Sequence, residues 1–264
     1  MNSIQIINQT ICNALQEGFI PWRTFQHGFP TNALTNKKYS GVNPILLQIS
    51  AHRNKFDSAY WGSLQTWVGA QCRIPFGQEP TLIFICQEFE QNDKTFKKPS
   101  TKRVYNADQA YGMTLGNFMQ PKVLTNDYSK VQSILAKADV VLVEGATPSY
   151  YDGTITMPPR NYFKNDAQYW SAYLHELCHH WELKVGFTAN APQRELVAEI
   201  ATGYLEGILE FEHCADRENH DKYLDQWFDE AKKDYKFFLH SASVASRIVY
   251  DLMNLVNPEE FCYA

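Results

Sequence analysis

The chain has 264 residues and a mass of 30.5 kDa, enough for one large domain or two modest ones, each with its own core. With 44% hydrophobic and 20% charged residues it is too apolar for a disordered protein, and its apolar runs are too short to span a bilayer, so we expect no membrane partner. There is no cationic segment before Arg23, and the six cysteines form no Cys-x-x-Cys pair, which predicts a cytoplasmic protein with reduced thiols.

The net charge of −5 is divided unevenly along the chain. Residues 1–125 contain 12 Lys and Arg against 7 Asp and Glu, a charge of +5, whereas residues 126–264 contain 12 against 22, a charge of −10. A basic half followed by an acidic half predicts two domains, 1–125 and 126–264, of which the first contacts a polyanion. From charge alone, two ordinary solvated surfaces are an equally good explanation.

The first half is predicted to alternate between short helices and strands. Apolar residues spaced by three and four predict an amphipathic first helix that ends at Gly18, and Asn43 followed by Pro44 is typical of a helix N-terminus. β-Branched and aromatic runs predict two strands. The predicted elements are helices over 3–17, 43–49 and 63–67, strands over 81–87 and 103–106, and a polar loop over 88–102.

The second half is predicted to be mainly helical. Its two short apolar segments favour strands, the second of which is terminated by Pro158. Asp166 is the expected cap of the helix that carries residues 166–184. The predicted elements are helices over 127–138, 166–184, 193–213, 219–240 and 242–254, and strands over 140–144 and 154–157.

The sequence His-Glu-Leu-Cys-His, residues 175–179, falls within one predicted helix. Positions i and i+4 share a helix face, so His175 and His179 can bind a single metal ion. Glu176 is rotated by about 100° from that face and is a candidate general base rather than a ligand. A catalytic zinc site needs a third protein ligand and one open position, so we expect Zn²⁺ and a further ligand from another element. The alternative is a pair of structural helix histidines.

The next predicted helix offers two carboxylates one turn apart, Glu195 and Glu199. Antiparallel packing of the two helices favours Glu199, which would lie nearer the level of His179. The Glu-x-x-Ala-Glu pattern instead resembles the ligand helix of gluzincin peptidases, which implies that Glu195 binds the metal and that Glu199 orients His175. We favour Glu195. The strand over 154–157 is a candidate sheet edge for a substrate peptide, and an ordinary terminal strand is at least as good an explanation.

The basic first half contains aromatic and cationic residues of the kinds that bind single-stranded DNA. Aromatic faces stack on bases and cations contact phosphates, although most aromatic residues in any domain belong to its core. The candidates are Trp22, Arg23, Lys37, Lys38, Tyr39, Trp61, Lys97, Lys98, Lys102 and Arg103.

Several motifs, in this order, resemble the ArdC-type antirestriction proteins over about residues 15–210. They are Pro21-Trp22, Tyr39 to Asn43, Tyr60-Trp61, Arg103 to Gln109, Met157-Pro158, the His-Glu-x-x-His motif and Glu195 to Leu205. The resemblance implies an N-terminal domain that binds single-stranded DNA and a C-terminal zincin-like metallopeptidase domain. It also implies carriage on plasmids or other mobile elements and protection of incoming DNA from restriction.

These observations predict an α+β protein with an N-terminal mixed α/β domain that binds single-stranded DNA. A mainly helical zincin-like metallopeptidase domain with a small sheet follows it. The expected partners are single-stranded DNA and a protein substrate. Two alternatives stay open: a DNA-binding protein whose metal is purely structural, and a cytoplasmic zinc metallopeptidase with no role in DNA binding.

Overall fold

The protein divides into two compact units. The N-terminal unit comprises residues 1–21 and 30–121, and the C-terminal unit comprises residues 22–29 and 122–262. The sequence predicted a single boundary at 125/126 and did not predict that residues 22–29 join the second unit. The computed structural model describes residues 2–91, 94–119, 124–211 and 218–256, with side chains described outside 87–97 and 218–222.

The predicted helices of the N-terminal unit are confirmed. They are α1 (Ser3–Gln16), α2 (Asn43–Asn54) and α3 (Leu64–Gly69). A capping box begins α1, because Asn2 Oδ1 accepts from the Gln5 N–H and Gln5 Oε1 accepts from the Asn2 N–H, both at 2.9 Å. Asn43 is the first residue of α2 and not its cap. Its side chain pairs instead with the backbone of Phe84, donating to the carbonyl at 2.9 Å and accepting from the N–H at 2.8 Å.

The strands of the N-terminal unit differ from prediction in one respect. They are β1 (Thr31–Asn32), β2 (Tyr60–Gly62), β3 (Cys72–Arg73), β4 (Thr81–Gln91), β5 (Lys94–Asn106) and β6 (Tyr111–Gly112). Residues 88–102 were expected to form a polar loop, but residues 88–91 and 94–102 extend β4 and β5, which pair in register from Thr81↔Val104 to Gln91↔Lys94. The sequence of this segment is mostly polar and contains no apolar run, so its composition predicted a loop.

A four-stranded sheet organises the N-terminal unit. Its strand order is β1-β2-β5-β4, and β3 and β6 form a separate antiparallel pair. One core cluster joins α2 to this sheet. It consists of the buried residues Tyr39, Leu47, Trp61, Ile83 and Val104.

Helices dominate the C-terminal unit, as predicted. They are α4 (Ser129–Lys137), α5 (Asp166–Lys184), α6 (Ala191–Leu209), α7 (Glu218–Lys233) and α8 (Phe237–Asn254). The last interruption was predicted at residue 241 and lies instead at 234–236. Ser241 is inside α8, where its hydroxyl donates to the Phe237 carbonyl at 2.8 Å. The helix α6 is the central element, since it packs against α5, α7 and α8.

A three-stranded sheet completes the C-terminal unit. Its strands are β7 (Val141–Glu144), β8 (Ser149–Tyr151) and β9 (Thr154–Met157). The order β7-β9-β8 places β9 at the centre, paired parallel with β7 and antiparallel with β8. The expectation that 154–157 forms a substrate-binding edge is therefore wrong. The strand β8 was not predicted, and it covers that side of β9.

The segment 22–29 lies along α6. Phe25 and Phe29 contact the Tyr204 ring with centroid distances of 5.8 and 5.2 Å. Two glycines of α6 allow this approach: a Cβ on Gly203 would overlap the carbonyl of Trp22, and one on Gly207 would lie 2.8 Å from Phe25. The mixed α+β architecture predicted from the sequence is confirmed. Within the described residues, no helix is both long and apolar enough to cross a bilayer.

Candidate metal centre

The helix α5 carries the His-Glu-x-x-His motif. Its N-cap is Asn165, one residue before the predicted Asp166, and the Asn165 side chain accepts from the Gln168 N–H at 2.8 Å. The helix runs 19 residues without interruption, so His175 and His179 share one face. Gly186, with φ +69°, then allows the chain to turn towards α6.

The helix α6 supplies the third side chain of the site. Asn190 caps it by accepting from the Gln193 N–H at 3.1 Å, and Pro192 lies in its first turn. This start places Glu195 beside the two histidines. Oε2 of Glu195 lies 3.5 Å from His175 Nε2, and Oε1 lies 3.7 Å from His179 Nε2.

One nitrogen of each histidine and one oxygen of Glu195 all lie within 4.8 Å of one another. Two imidazole nitrogens and a carboxylate oxygen are the donor set of many catalytic zinc sites. The three side chains are close enough to one another to hold one metal ion.

Glu199 lies on the other side of the His175 ring. Its Oε1 is 3.9 Å from Nδ1 of His175, whereas Glu195 faces Nε2. The two alternative ligands, Glu195 and Glu199, thus lie beside different nitrogens of the His175 ring.

Charges within the site alter its protonation. Burial opposes protonation of His175, but the hydrogen bond to Glu195 and the negative charges of Glu199 and Glu176 outweigh it and raise the pKa of His175 to about 9. Burial alone would raise the pKa of Glu195, yet its hydrogen bond to His175 lowers it. The site therefore favours a protonated His175 ring beside an ionised Glu195 carboxylate.

Glu176 is buried, with 9% of its surface exposed. Burial raises the pKa of its carboxyl, against the opposing charges of His175 and His179. A carboxylate whose pKa is raised in this way is a stronger base than one in water, which suits the predicted role in proton transfer.

Two further residues of the site, Glu182 and Arg194, were not identified from the sequence. Glu182 Oε1 lies 3.2 Å from His179 Nδ1, and its Oε2 accepts from Arg194 Nε at 2.7 Å. The signal was present, because Glu182 follows His179 by three residues and so shares its side of the helix. Cys178 is fully buried beside Thr202, as expected of a small apolar residue, and burial raises the pKa of its thiol.

The aromatic candidates for DNA stacking require correction. Trp22, Tyr39 and Trp61 are at most 4% exposed, and none presents a ring face to solvent. Tyr39 and Trp61 belong to the core of the N-terminal unit, and burial raises the pKa of Tyr39 to about 12. Trp22 lies in the other unit. Aromatic residues next to turns in a small domain are mostly buried in its core.

The cationic candidates for DNA contact differ in exposure and in the groups that they bind. Lys37, Lys98, Lys102 and Arg103 are exposed. Lys38 is half-buried and donates to the Thr31 hydroxyl at 3.0 Å. The side chain of Lys97 lies outside the described residues. Arg23 was assigned to DNA contact, but its guanidinium binds Glu199 instead, with Nη2 to Oε2 at 2.6 Å.

Comparisons with known proteins match both halves of the chain. Residues 1–114 match the family model for the N-terminal domain of the anti-restriction factor ArdC. Residues 129–244 match the model for a zincin-like metallopeptidase. The uncharacterized protein y4eC of Sinorhizobium fredii (strain NBRC 101917 / NGR234) is 21% identical over 247 residues, which cover 83% of this chain and 79% of that protein.

Two crystal structures of the antirestriction protein ArdC from the R388 plasmid share the fold. The metal-free structure superposes with a TM-score of 0.81 at 22% identity and covers 99% of this chain and 100% of that one. The Mn(II)-bound structure has the same TM-score and identity and covers 97% of this chain and 99% of that one.

Proposed function

Since the chain is an ArdC-type antirestriction protein with a zincin-like domain, we propose that it combines single-stranded DNA binding with a metal-dependent peptidase-like site. The N-terminal unit would bind the DNA, and the C-terminal unit would carry the hydrolytic site. The observation that carries the proposal is the convergence of His175, His179 and Glu195 donor atoms within 4.8 Å.

We assign Zn²⁺ to this site, held by Nε2 of both histidines and by the Glu195 carboxylate. Two nitrogens and one oxygen suit zinc, and a relative of the same fold has been crystallised with Mn(II). When bound, such an ion polarises a substrate carbonyl and lowers the pKa of water. The three side chains lie on α5 and α6, whose first turns are each capped by an asparagine side chain.

Glu176 would act as the proton carrier of peptide hydrolysis. Its carboxylate would take a proton from the attacking water on one oxygen and deliver it to the leaving amine nitrogen. The burial that raises the pKa of Glu176 supports this role, because the protonated acid must persist until the amine departs. A protein is the expected substrate.

The test separates metal binding from hydrolysis. We expect Glu176→Gln to keep wild-type zinc content by elemental analysis, because Glu176 is not among the three converging side chains. The variant should lose cleavage of fluorescently labelled casein by about 10²–10⁴-fold. His175→Ala should lose both metal and cleavage. Wild-type cleavage by Glu176→Gln would contradict the peptidase assignment and favour a metal that only stabilises the fold.

The N-terminal unit supports DNA binding through its charge. Residues 1–21 and 30–121 contain 10 Lys and Arg against 7 Asp and Glu, an excess of three positive charges. Four of the predicted cations are exposed, namely Lys37, Lys98, Lys102 and Arg103. Exposed lysines and arginines contact phosphates without regard to sequence, so we expect affinity that falls with salt and shows little base preference. Protection of transferred DNA from restriction is the biological role that this combination favours.

A further inference from the structure

Each histidine of the candidate metal site has a carboxylate at Nδ1, and each carboxylate is bound by an arginine. Glu199 faces His175 and is held by Arg23, while Glu182 faces His179 and is held by Arg194. A similar three-part arrangement thus occurs twice in one site, with the carboxylate oxygen 3.2 Å from Nδ1 of His179 and 3.9 Å from Nδ1 of His175. A lone structural ion pair would not require this repetition.

The contact between Arg23 and Glu199 is extensive. Arg23 Nη2 donates to Oε1 at 2.8 Å and to Oε2 at 2.6 Å, and Nε donates to Oε2 at 3.0 Å. Both carboxylate oxygens are therefore engaged by one planar guanidinium. The side chains are 17% and 6% exposed, so water screens the pair only weakly.

The position of Arg23 is fixed by the segment in which it lies. It is separated from Glu199 by 176 residues of sequence, yet belongs to the same compact unit. Next to it, Trp22 is fully buried and meets the Trp227 ring edge-on at a centroid distance of 6.0 Å. The close approach of Trp22 to Gly203 then holds this backbone against the helix that carries Glu199.

We propose that Arg23 is a positioning residue of the metal centre, which acts through Glu199 on the orientation of His175. The guanidinium fixes both oxygens of Glu199, so that Oε1 stays beside Nδ1 and the ring directs Nε2 towards Glu195. Partners of this kind orient metal-binding histidines and raise their basicity. The inference rests on the proposed metal site and adds a residue that contributes no ligand atom.

A double-mutant cycle on metal affinity tests the proposal. The full chain and the variants Arg23→Gln, Glu199→Gln and Arg23→Gln/Glu199→Gln are titrated with Zn²⁺ against a chromophoric chelator. We expect Arg23→Gln to weaken affinity by about 10–100-fold. In the Glu199→Gln background the same change should have little further effect, because Arg23 then has no carboxylate to position.

Two readouts distinguish positioning from general stabilisation. Arg23→Lys keeps the positive charge but not the fork of donors, so it should recover part of the lost affinity. The visible spectrum of the Co²⁺-loaded protein should change in Arg23→Gln, since the ring of His175 would rotate. Arg53→Gln is the matched control, because Arg53 binds Glu17 at 3.0 Å in the other unit. It should leave both affinity and spectrum unchanged.

The outcomes are separable. Wild-type protein that binds no Zn²⁺ would overturn the proposed metal function itself. If the wild-type protein binds Zn²⁺ and the affinity of Arg23→Gln is within twofold of the wild-type affinity, only the positioning role is overturned. The positioning role is also overturned if Arg23→Gln weakens Zn²⁺ affinity equally in the wild-type and Glu199→Gln backgrounds. If Arg23→Gln does not fold, Arg23→Lys replaces it in the same cycle. We then expect a smaller loss of Zn²⁺ affinity in the wild-type background and no further loss in the Glu199→Gln background.

Discussion

The two nitrogens of His175 separate the roles of two similar glutamates. Glu195 and Glu199 are one turn apart on α6. Antiparallel packing favoured Glu199 as the third ligand, whereas the resemblance to gluzincin peptidases favoured Glu195. The choice depends on how α6 crosses α5, which places Glu195 at Nε2 and Glu199 at Nδ1. Spacing alone was sufficient for the histidine pair, because both residues lie on one helix. Which carboxylate approaches which nitrogen is a tertiary property, so Glu195 was favoured by resemblance to a family pattern and not by helix geometry.

The protonation of His175 leads to a prediction about the metal-free protein. Its pKa is raised from 6.5 to about 9 in the folded state, so the bound proton stabilises that state. This contribution is complete below pH 6.5 and is lost as the pH rises through about 9. We expect the free energy of unfolding of chelator-treated protein, measured with urea, to decline over this window.

A variant without the ring is the control for this pH dependence. His175→Gln cannot gain a proton on folding, so its metal-free stability should vary less between pH 6.5 and about 9. Parallel pH profiles for wild type and His175→Gln would show that the ring does not carry the raised pKa.

At the scale of helices and strands, local sequence patterns predicted some elements accurately and missed features that depend on tertiary packing. The predicted helix over 166–184 coincides with α5, because a capping residue precedes it and apolar residues occupy its buried side. The length of β4 and β5 was underestimated, since the sequence beyond residue 87 is mostly polar and resembles a loop. Gly203 and Gly207 carry no helix-favouring signal, and their purpose emerges only when the segment 22–29 is seen against α6.

Gly203 provides a test of that packing. In an exposed helix, replacing Gly by Ala stabilises by about 1 kcal/mol through helix propensity. At Gly203 the new methyl group would overlap the carbonyl of Trp22, so we expect the opposite sign, a loss of about 1–3 kcal/mol in urea unfolding. Displacement of Trp22 would also shift Arg23, so metal affinity should fall as well.

Gly116 is a suitable control for this substitution. A Cβ there would meet nothing within 4 Å, so Gly116→Ala should change stability little. A Gly203→Ala protein that is as stable as wild type would mean that the segment 22–29 does not pack closely on α6.

At the scale of the whole molecule, the division of charge along the sequence matches the division into two units only in part. The basic excess lies within residues 1–125, but Arg23, counted among its cations, serves the acidic C-terminal unit. The burial of Tyr39 and Trp61 likewise removes two predicted stacking residues. Composition identifies a basic domain, whereas exposure decides which of its residues reach a ligand.

The exposed aromatic residues of the N-terminal unit lead to the last prediction. Phe76 is fully exposed and Tyr111 is 52% exposed. Tyr111 lies opposite the exposed Arg73 in the β3–β6 pair, so a ring and a cation share one face. We expect each of Phe76→Ala and Tyr111→Ala to weaken binding of a fluorescent oligothymidylate by about 1–3 kcal/mol.

Exposure makes this prediction specific, because neither substitution removes a core contact and both variants should unfold like wild type. Tyr151→Ala is the matched control, since Tyr151 is 83% exposed on β8 of the other unit and should leave DNA affinity unchanged. Anisotropy titrations at about 50 and 200 mM salt should show weaker binding at the higher concentration for every variant, because phosphate contacts persist. Absence of binding by wild type at about 50 mM salt would instead favour a metallopeptidase with no role in DNA binding.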